Sequence, residues 1–272
     1  MNKLFRLLAI FSIFSLFTIC GGIKTLYAQQ PLETETARPL KAGAVELHAA
    51  FEYQTSKEGK EYAVPIAFEY GITNRLSLLV EPVFYTGIHP KIGRRANSFG
   101  DLEATASYLV LQEKRFLPAL AIAGEVKVPT ARNILIGTQK ADYTGYLFAS
   151  KRYGKYETHA NFGYTIVGQP SGVELKNIYI LALAEEYHLN KRFDLLGEVL
   201  ANTSSLKGEG VDSNEPSVTP EATGGEVVGT IGFRYYIRSR VAFSLGVTYD
   251  NNHALLFRPG LSFYFKSIGA RH

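Results

Sequence analysis

Residues 255–265 alternate between two faces, and this pattern restricts the possible folds more than any other feature of the chain. The two faces are Leu255, Phe257, Pro259, Leu261, Phe263 and Phe265 against Leu256, Arg258, Gly260, Ser262 and Tyr264. Successive side chains of a β-strand point to opposite faces, so a period of two indicates a strand. One face is apolar throughout, whereas the other mixes polar and small residues. The alternation recurs from residue 44 onwards, which predicts an all-β fold.

The N-terminus has the pattern of a secretion signal. Lys3 and Arg6 precede an apolar run at 7–19, and Ala28 before Gln29 offers a cleavage position. The run is shorter than the ~20 residues of a spanning helix, which favours a cleaved signal over an anchor. We therefore predict that residues 1–28 are removed.

The composition of the remaining chain excludes several classes of function. Of the 29 basic residues, Lys3, Arg6 and Lys24 lie in the predicted signal, so 26 remain beside 25 acidic ones. This balance gives no basic field for binding nucleic acid. The single cysteine, Cys20, also lies in the signal, so the mature chain has neither disulfides nor thiol chemistry.

Twelve segments have both the alternation and the length of bilayer-spanning strands, which are ~9–11 residues long when tilted. The segments are 44–54, 61–70, 76–86, 100–111, 117–128, 142–152, 155–167, 176–188, 193–203, 225–237, 241–250 and 254–265. Short and long connections alternate between them, apart from a brief final one, as in barrels with short periplasmic turns and longer external loops. Together with the signal, this predicts an antiparallel up-and-down transmembrane β-barrel of about 12 strands in the outer membrane of a Gram-negative bacterium.

The faces opposite the apolar ones should line the barrel interior, and they carry more acids than bases. Two interpretations stay open: a polar pore or solute site, and a packed core in which Lys127, Arg234 and Arg258 pair with acids. The sixth and eighth segments do not reveal whether Glu185 or Glu186 points inward. The candidate pore-lining residues are Glu46, Glu81, Asp101, Glu103, Glu198, Glu226, Arg234 and Arg258.

Basic residues are concentrated in and beside the short connections. They are Arg75, Lys114, Arg115, Arg152, Lys155, Lys191, Arg192, Arg238 and Arg240. A rim that touches anionic lipid headgroups is one interpretation, and ordinary solvated turns are the other. The sequence alone favours the second, because surface charges need no special explanation.

The sequence offers no pattern for catalysis, for a metal or for a cofactor. The motif His159-Ala160-Asn161 lacks the Ser that follows two residues after the His in outer-membrane phospholipases of this size. A triad assembled across strands would be invisible in the sequence, so a lipid-modifying enzyme remains the alternative. The histidines are too scattered for a metal site by spacing: His48, His159, His188 and His253. We predict no catalytic, metal-binding or cofactor-binding residues.

Four short motifs resemble a family of outer-membrane barrels named for the MetA pathway of phenol degradation. They are Tyr-Gly-Ile-Thr-Asn-Arg-Leu at 70–76, Phe-Gly-Asp-Leu at 99–102, Lys-Val-Pro-Thr at 127–130 and Gly-Tyr at 163–164. The resemblance covers nearly the whole mature chain and implies a transporter-like barrel for small aromatic or apolar compounds. It carries no catalytic residues to transfer.

These observations predict one channel or transporter for small solutes. We divide the chain into a signal at 1–28, a periplasmic lead-in or short plug at 29–43, a barrel at 44–266 and a tail at 267–272. The expected partners are outer-membrane lipids, a small-molecule solute and the outer-membrane insertion machinery, with no nucleic acid. A structural barrel that acts through its external loops is a further alternative.

Overall fold

The computed structural model describes residues 32–205 and 225–265. Within these ranges the regular structure consists of β-strands alone, and no helix there is long and apolar enough to cross a membrane. Three predicted features lie wholly or largely outside the described residues: the signal peptide, the longest connection at 204–224 and the C-terminal tail.

The fourteen strands in the described residues form one barrel with twelve spanning segments, because two of these segments consist of two strands each. They are β1 Val45–Ala50, β2 Glu52–Thr55, β3 Gly59–Gly71, β4 Leu76–Pro90, β5 Ala96–Ser98, β6 Leu102–Leu111, β7 Ala119–Val128, β8 Asp142–Tyr153, β9 Tyr156–Ile166, β10 Ile178–Asn190, β11 Phe193–Asn202, β12 Glu226–Arg238, β13 Val241–Asp250 and β14 Leu255–Phe265. The strands β1 and β2 make one spanning segment that is interrupted at Phe51. The strands β5 and β6 pair with successive parts of β4, so they belong to the same spanning segment.

The first and last spanning segments pair with each other and so close the sheet into a barrel. Strand β1 pairs with β14 from Val45↔Phe265 to Ala50↔Gly260, and β2 continues the pairing up to Leu255↔Thr55. All neighbouring strands are antiparallel. A closed sheet pairs its backbone polar groups without leaving an edge, as hydrocarbon surroundings require. The predicted antiparallel barrel is confirmed, and the predicted strand ends agree with the observed ones to within a few residues.

Short turns lie at one rim of the barrel. The β8–β9 turn has two residues, Gly154 and Lys155, between the paired Tyr153 and Tyr156. Gly154 has φ 60° and Lys155 does not have a positive φ, which suits the glycine-first type II′ hairpin turn. The connections at the opposite rim are mostly longer, including 129–141 and 167–177. We therefore infer that the rim of short turns is the periplasmic one.

The two faces of the sheet differ as the alternation predicts. Large apolar side chains are exposed on the outer surface, and Ile231 at the middle of β12 is 72% exposed. An apolar exterior at membrane depth suits lipid rather than water. Polar side chains are buried on the inner face, with exposed fractions of 2–6%: Glu46, Glu157, His159, Asn161, Asp194, Glu198 and Arg234.

The structure resolves the orientation of β10, which the sequence left open. Ala182 and Ala184 are buried, whereas Leu181, next to Ala182 on the strand, is 61% exposed. By the same alternation Glu186 points inward, where Arg234 contacts it. Glu185 points outward and accepts a hydrogen bond from the Thr158 hydroxyl on the neighbouring strand, at 2.5 Å.

Residues 32–44, which we call the lead-in segment, run inside the barrel. Leu32 packs against the inward Ala184 and Leu196, and Ala37 packs against inward residues that include Phe148. Near its end the segment reaches the periplasmic rim, where the Ala42 amide donates to the Asn74 side chain at 3.1 Å. A plug function for this segment stays a prediction.

Candidate functional site

A cavity of ≈ 670 Å³ lies in the barrel lumen. It extends from Gly100 and Ile136, beside the outer connections, to Phe148 and Asn161 deeper in the barrel, where Glu35 of the lead-in segment also lines it. We call it the main cavity. Because it lies within the closed sheet, its wall consists of inward side chains from many strands.

A row of charged side chains crosses the wall of the main cavity. Glu81 on β4 lies directly opposite Glu103 on β6, which in turn lies opposite Lys127 on β7. Lys127 also forms an ion pair with Asp142 on the next strand. Like charges directly opposite each other repel. Lys127 therefore compensates only part of the negative charge on this wall.

Apolar and aromatic side chains share the wall with these acids. Tyr146 and Phe148 lie on β8 with their ring centroids 5.3 Å apart. The Tyr146 ring covers Gly163 on β9, where an added Cβ would lie 2.5 Å from the Tyr146 Cε1 atom. This close approach explains why the Gly-Tyr motif at 163–164 has glycine as its first residue. The cavity can thus offer both carboxylates and ring faces to a solute.

Arg258 is the main positive charge on the other side of the lumen. Its guanidinium forms ion pairs with Glu33 of the lead-in segment and, at 2.6 Å, with Glu52. Arg258 lines both the main cavity and a smaller one of ≈ 290 Å³, which Glu198 and Glu226 also line. These pairings match the interpretation in which lumenal bases bind acids, but Glu81 and Glu125 of the main cavity form no ion pair with a described base.

Glu35 illustrates the excess of negative charge. Burial, followed by the negative charges of Glu81 and Glu69, raises the pKa of Glu35 well above its ordinary value of 4.5. The neutral form of this carboxyl is therefore favoured inside the barrel.

Two of the sequence motifs contact each other at the outer end of the main cavity. The Thr130 hydroxyl donates to the Gly100 carbonyl at 2.8 Å, and the Ala131 amide donates to the Asp101 carboxylate at 3.0 Å. Residues 99–102 and 127–130 are thus joined side by side. Asp101 holds the adjoining loop in addition to lining the cavity.

Hydrogen bonds hold the lead-in segment to the inner wall. The Thr34 amide and hydroxyl both donate to Glu198, at 2.7 and 2.6 Å. The Ala37 amide donates to the Ser150 hydroxyl at 2.8 Å. The Asn161 side-chain amide, in the orientation that satisfies its neighbours, makes two bonds to the Glu35 backbone, at 3.0 and 3.2 Å.

Ion pairs surround the lead-in segment near the periplasmic rim. Arg38 pairs with Glu157 and, at 2.5 Å, with Glu113 in a short turn. Arg152 donates to the same Glu157 with its Nε at 2.6 Å. Burial of Glu113 opposes its ionisation, but hydrogen bonds from Arg38, the Arg152 backbone and Lys151 lower its pKa. The bases and acids here neutralise one another, unlike those of the main cavity.

Glu186, His188 and Asp194 form a group with the spacing of metal ligands, because their ligand atoms lie within 4.8 Å of one another. His188 Nδ1 is 2.8 Å from Asp194. However, the Arg234 guanidinium lies 3.1 Å from Glu186 and 3.5 Å from Asp194. A fixed cation so close to both carboxylates opposes a bound metal ion, so we interpret the group as an ion-pair network.

The sequence missed a Ser–His contact that forms across two strands. The Ser150 hydroxyl on β8 lies 2.8 Å from His159 Nδ1 on β9, and both side chains are at most 5% exposed. The His159 Nε2 atom is 4.0 Å from Glu157 and from Glu186. Only the pairing register brings Ser150 opposite His159. The Ser150 oxygen already accepts the Ala37 amide, and neither Ser150 nor His159 lines the main cavity.

The structure separates the candidate pore-lining residues into three groups. Glu81, Asp101, Glu103 and Arg258 line the main cavity, while Glu198 and Glu226 line the smaller one. Glu46 and Arg234 are 4% and 2% exposed and line neither space. A role in lining a pore stays a prediction for all of them.

The closed sheet, its apolar exterior and its polar interior define an outer-membrane β-barrel protein. The chain belongs to the family described as "Putative MetA-pathway of phenol degradation", whose model matches residues 90–267, well over half of the chain. The match includes the motifs at 99–102, 127–130 and 163–164 and begins after the one at 70–76. No curated protein matches the chain in sequence.

Solved outer-membrane proteins have the same fold. The COG4313 outer membrane channel from Pseudomonas putida F1 is similar with a TM-score of 0.66 and 12% identity, over 86% of this chain and 100% of that one. The NanC porin has a TM-score of 0.55 and 12% identity, over 80% and 98% of the two chains. The KdgM porin in complex with disordered oligogalacturonate has a TM-score of 0.53 and 12% identity, over 81% and 99%. At these identities the likeness establishes the fold.

Proposed function

We propose that the protein is an outer-membrane channel for small solutes and that the main cavity is its solute-binding space. The observation that carries the proposal is the ≈ 670 Å³ lumenal cavity within a closed barrel. Fold neighbours described as a channel and as porins support the proposal. A barrel whose interior was packed throughout would have no such space.

The chemistry of the wall favours solutes that combine an aromatic body with a hydrogen-bond donor or a positive charge. The rings of Tyr146 and Phe148 can pack against an aromatic solute. Glu81 and Glu103 can accept a hydrogen bond from a phenolic hydroxyl or from an ammonium group. The phenol-degradation name of the family agrees with this solute class. Anionic aromatic compounds should be disfavoured by the same carboxylates.

Planar-bilayer recordings test the proposal. Benzylamine, phenol and benzoate have similar rings but carry a positive charge, a neutral hydroxyl and a negative charge at neutral pH. We expect benzylamine and phenol to reduce the ion current from the outer side, and benzoate to have little effect. Absence of any conductance would contradict a channel, whereas the strongest block by benzoate would contradict the assigned solute class.

The Ser150–His159 contact gives the alternative of a lipid-modifying enzyme a specific residue to test. Its surroundings argue against catalysis, because the lead-in segment donates to the Ser150 oxygen and the pair faces the lumen rather than lipid. We infer a structural role, in which Ser150 holds the segment. Purified protein and its Ser150→Ala variant should both lack phospholipid hydrolysis. Hydrolysis that disappeared with Ser150→Ala would support the enzyme instead.

A further inference from the structure

The five short turns at the periplasmic rim share one arrangement of side chains. In and immediately beside these turns, at 72–75, 112–118, 154–155, 191–192 and 238–240, the exposed charged residues are all basic. They are Arg75, Lys114, Arg115, Lys155, Lys191, Arg192, Arg238 and Arg240. We call these eight residues the basic rim. The one acid in the turns, Glu113, is half-buried and paired with Arg38 and Lys151.

Each turn of the basic rim also has a large apolar side chain exposed in it or within two residues of it. These side chains are Ile72, Phe116, Leu117, Tyr153, Leu189 and Ile237, and Phe116 is 82% exposed. Arg115 lies over the Phe116 ring, with its guanidinium carbon 5.2 Å from the centroid. An apolar anchor beside a base suits the boundary between acyl chains and headgroups, where one end of the contact is apolar and the other is charged. Solvated turns have no need of the apolar residues.

The charges of the basic rim are not compensated within the described part of the protein. None of its eight residues forms an ion pair with a described residue. Lys155 donates to the Leu189 carbonyl at 3.2 Å and lies 5.9 Å from the centre of the outward Tyr187 ring. This basic group is thus directed towards the outer, lipid-facing surface of its turn. The described outer connections, in contrast, expose acids such as Glu58 and Glu174 among their bases.

We propose that the basic rim binds the phosphate groups of anionic phospholipids in the periplasmic leaflet. Charge complementarity carries the inference, because each Lys or Arg near an anionic bilayer surface contributes to binding. The level of the turns supports it. Turns of two to seven residues can reach the headgroup layer but extend little beyond it. The cell-wall polymer is a different anionic partner, and it lies farther from the membrane than such turns extend.

The chain contains no tryptophan, which gives the test a site-specific reporter. Phe116→Trp places a single indole in the basic rim. The full-length protein is reconstituted in phosphatidylcholine vesicles that contain increasing fractions of brominated phosphatidylglycerol or, separately, brominated phosphatidylcholine. Quenching of the indole reports the relative binding of the two lipids at the rim. We expect a several-fold preference for phosphatidylglycerol, which decreases at high salt because screening weakens surface charges.

A matched pair of variants separates the rim from general charge effects. In the Phe116→Trp background, Lys114→Gln, Arg115→Gln, Lys191→Gln and Arg192→Gln together should bring the preference close to one. The control combines Lys91→Gln, Arg94→Gln, Arg95→Gln and Arg132→Gln, four exposed bases of the outer connections, and should leave the preference unchanged. If the first combination fails to fold, Lys114→Gln with Arg115→Gln alone should lower the preference partly.

Three outcomes would overturn the proposal. They are equal quenching by the two lipids in the unmodified rim, an equal loss of preference in both quadruple variants, and a preference that persists without the rim bases. Co-sedimentation with isolated peptidoglycan that depends on the basic rim, combined with no lipid preference, would assign the surface to the cell wall instead.

Discussion

At the scale of single residues, the position on a strand decides what a side chain contacts. Leu245 lies on the apolar outer face of β13, next to Phe233 and Pro259 in the register. Thr248 on the same strand points into the lumen, where its hydroxyl lies 2.9 Å from that of Thr230. The same substitution at the two positions should therefore have opposite consequences for solvation.

We predict that Leu245→Arg destabilises the barrel by about 2–4 kcal/mol, because the charge enters the middle of the lipid-facing surface. Thr248→Arg is the matched control and should cost less, since Thr248 lines the smaller cavity together with Glu226 and Asp250. Urea unfolding in lipid vesicles measures both free energies. A larger loss for Thr248→Arg than for Leu245→Arg would show that the faces are assigned the wrong way round.

Gly163 gives a second prediction at this scale. A Cβ there would overlap the Tyr146 ring and push it from its place over β9. Gly163→Ala should cost about 1–3 kcal/mol, the usual range for overpacking. Gly145→Ala, where nothing lies within 4 Å of the added Cβ, is the matched control. Equal unfolding free energies for the two variants would show that the Tyr146 contact does not constrain this position.

At the scale of elements, the sequence predicted the strands well because the bilayer imposes a length and lipid imposes an alternation. It failed to orient β10 because Ile178, Ile180 and Leu181 place apolar residues on both faces. It also missed the Ser150–His159 contact, since residues nine apart meet only through the register of β8 and β9. The ion pairs of Arg234 and Arg258 agree with a pairing that the sequence suggested, but their partners Glu186 and Glu33 could not be chosen in advance.

The lead-in segment is the element that the sequence described least, because the contacts that anchor it to the wall are long-range. Its anchors come from separate strands: Glu198 on β11, Ser150 on β8 and Glu157 on β9. No periodic pattern in residues 29–43 indicates these partners. The segment combines favourable pairs with an acid, Glu35, that is disfavoured when ionised.

Glu35 leads to a prediction about pH. Its pKa is raised in the folded protein, so ionisation weakens the folded state as pH rises above the ordinary value near 4.5. Below that value the carboxyl is protonated in both states and the penalty disappears. Glu35→Gln should therefore slow hydrogen exchange of the lead-in amides at pH 8 and have little effect at pH 4. Glu58→Gln, at an exposed outer position, serves as the control.

The exchange experiment has a clear contrary result. Faster exchange in Glu35→Gln at pH 8 would mean that the ionised carboxylate stabilises the lead-in segment. The pKa of Glu35 would then be lowered, not raised, in the folded protein.

At the scale of the whole molecule, charge is distributed in three zones. The periplasmic rim is basic, the adjoining network around Glu157 is balanced, and the main cavity is acidic. The sequence predicted an excess of inward acids, but it could not show where in the lumen these acids lie. In the structure Glu35, Glu81, Asp101, Glu103 and Glu125 all line the main cavity, with Lys127 and Arg258 as its bases. A permeating ion would meet this negative zone first from the outer side.

The last prediction is therefore a modest preference for cations. Carboxylates that line a pore favour cations, and screening at high salt should weaken the preference. Reversal potentials across planar bilayers in a potassium chloride gradient measure it. Glu81→Gln combined with Glu103→Gln should lower the preference, because these neighbours contribute two of the carboxyl groups of the cavity wall, and each amide keeps the shape of the side chain. Glu58→Gln should not change it. An anion preference in the native protein would show that bases outside the main cavity set the selectivity, and an unchanged preference in the double variant would show that ions bypass the Glu81–Glu103 wall.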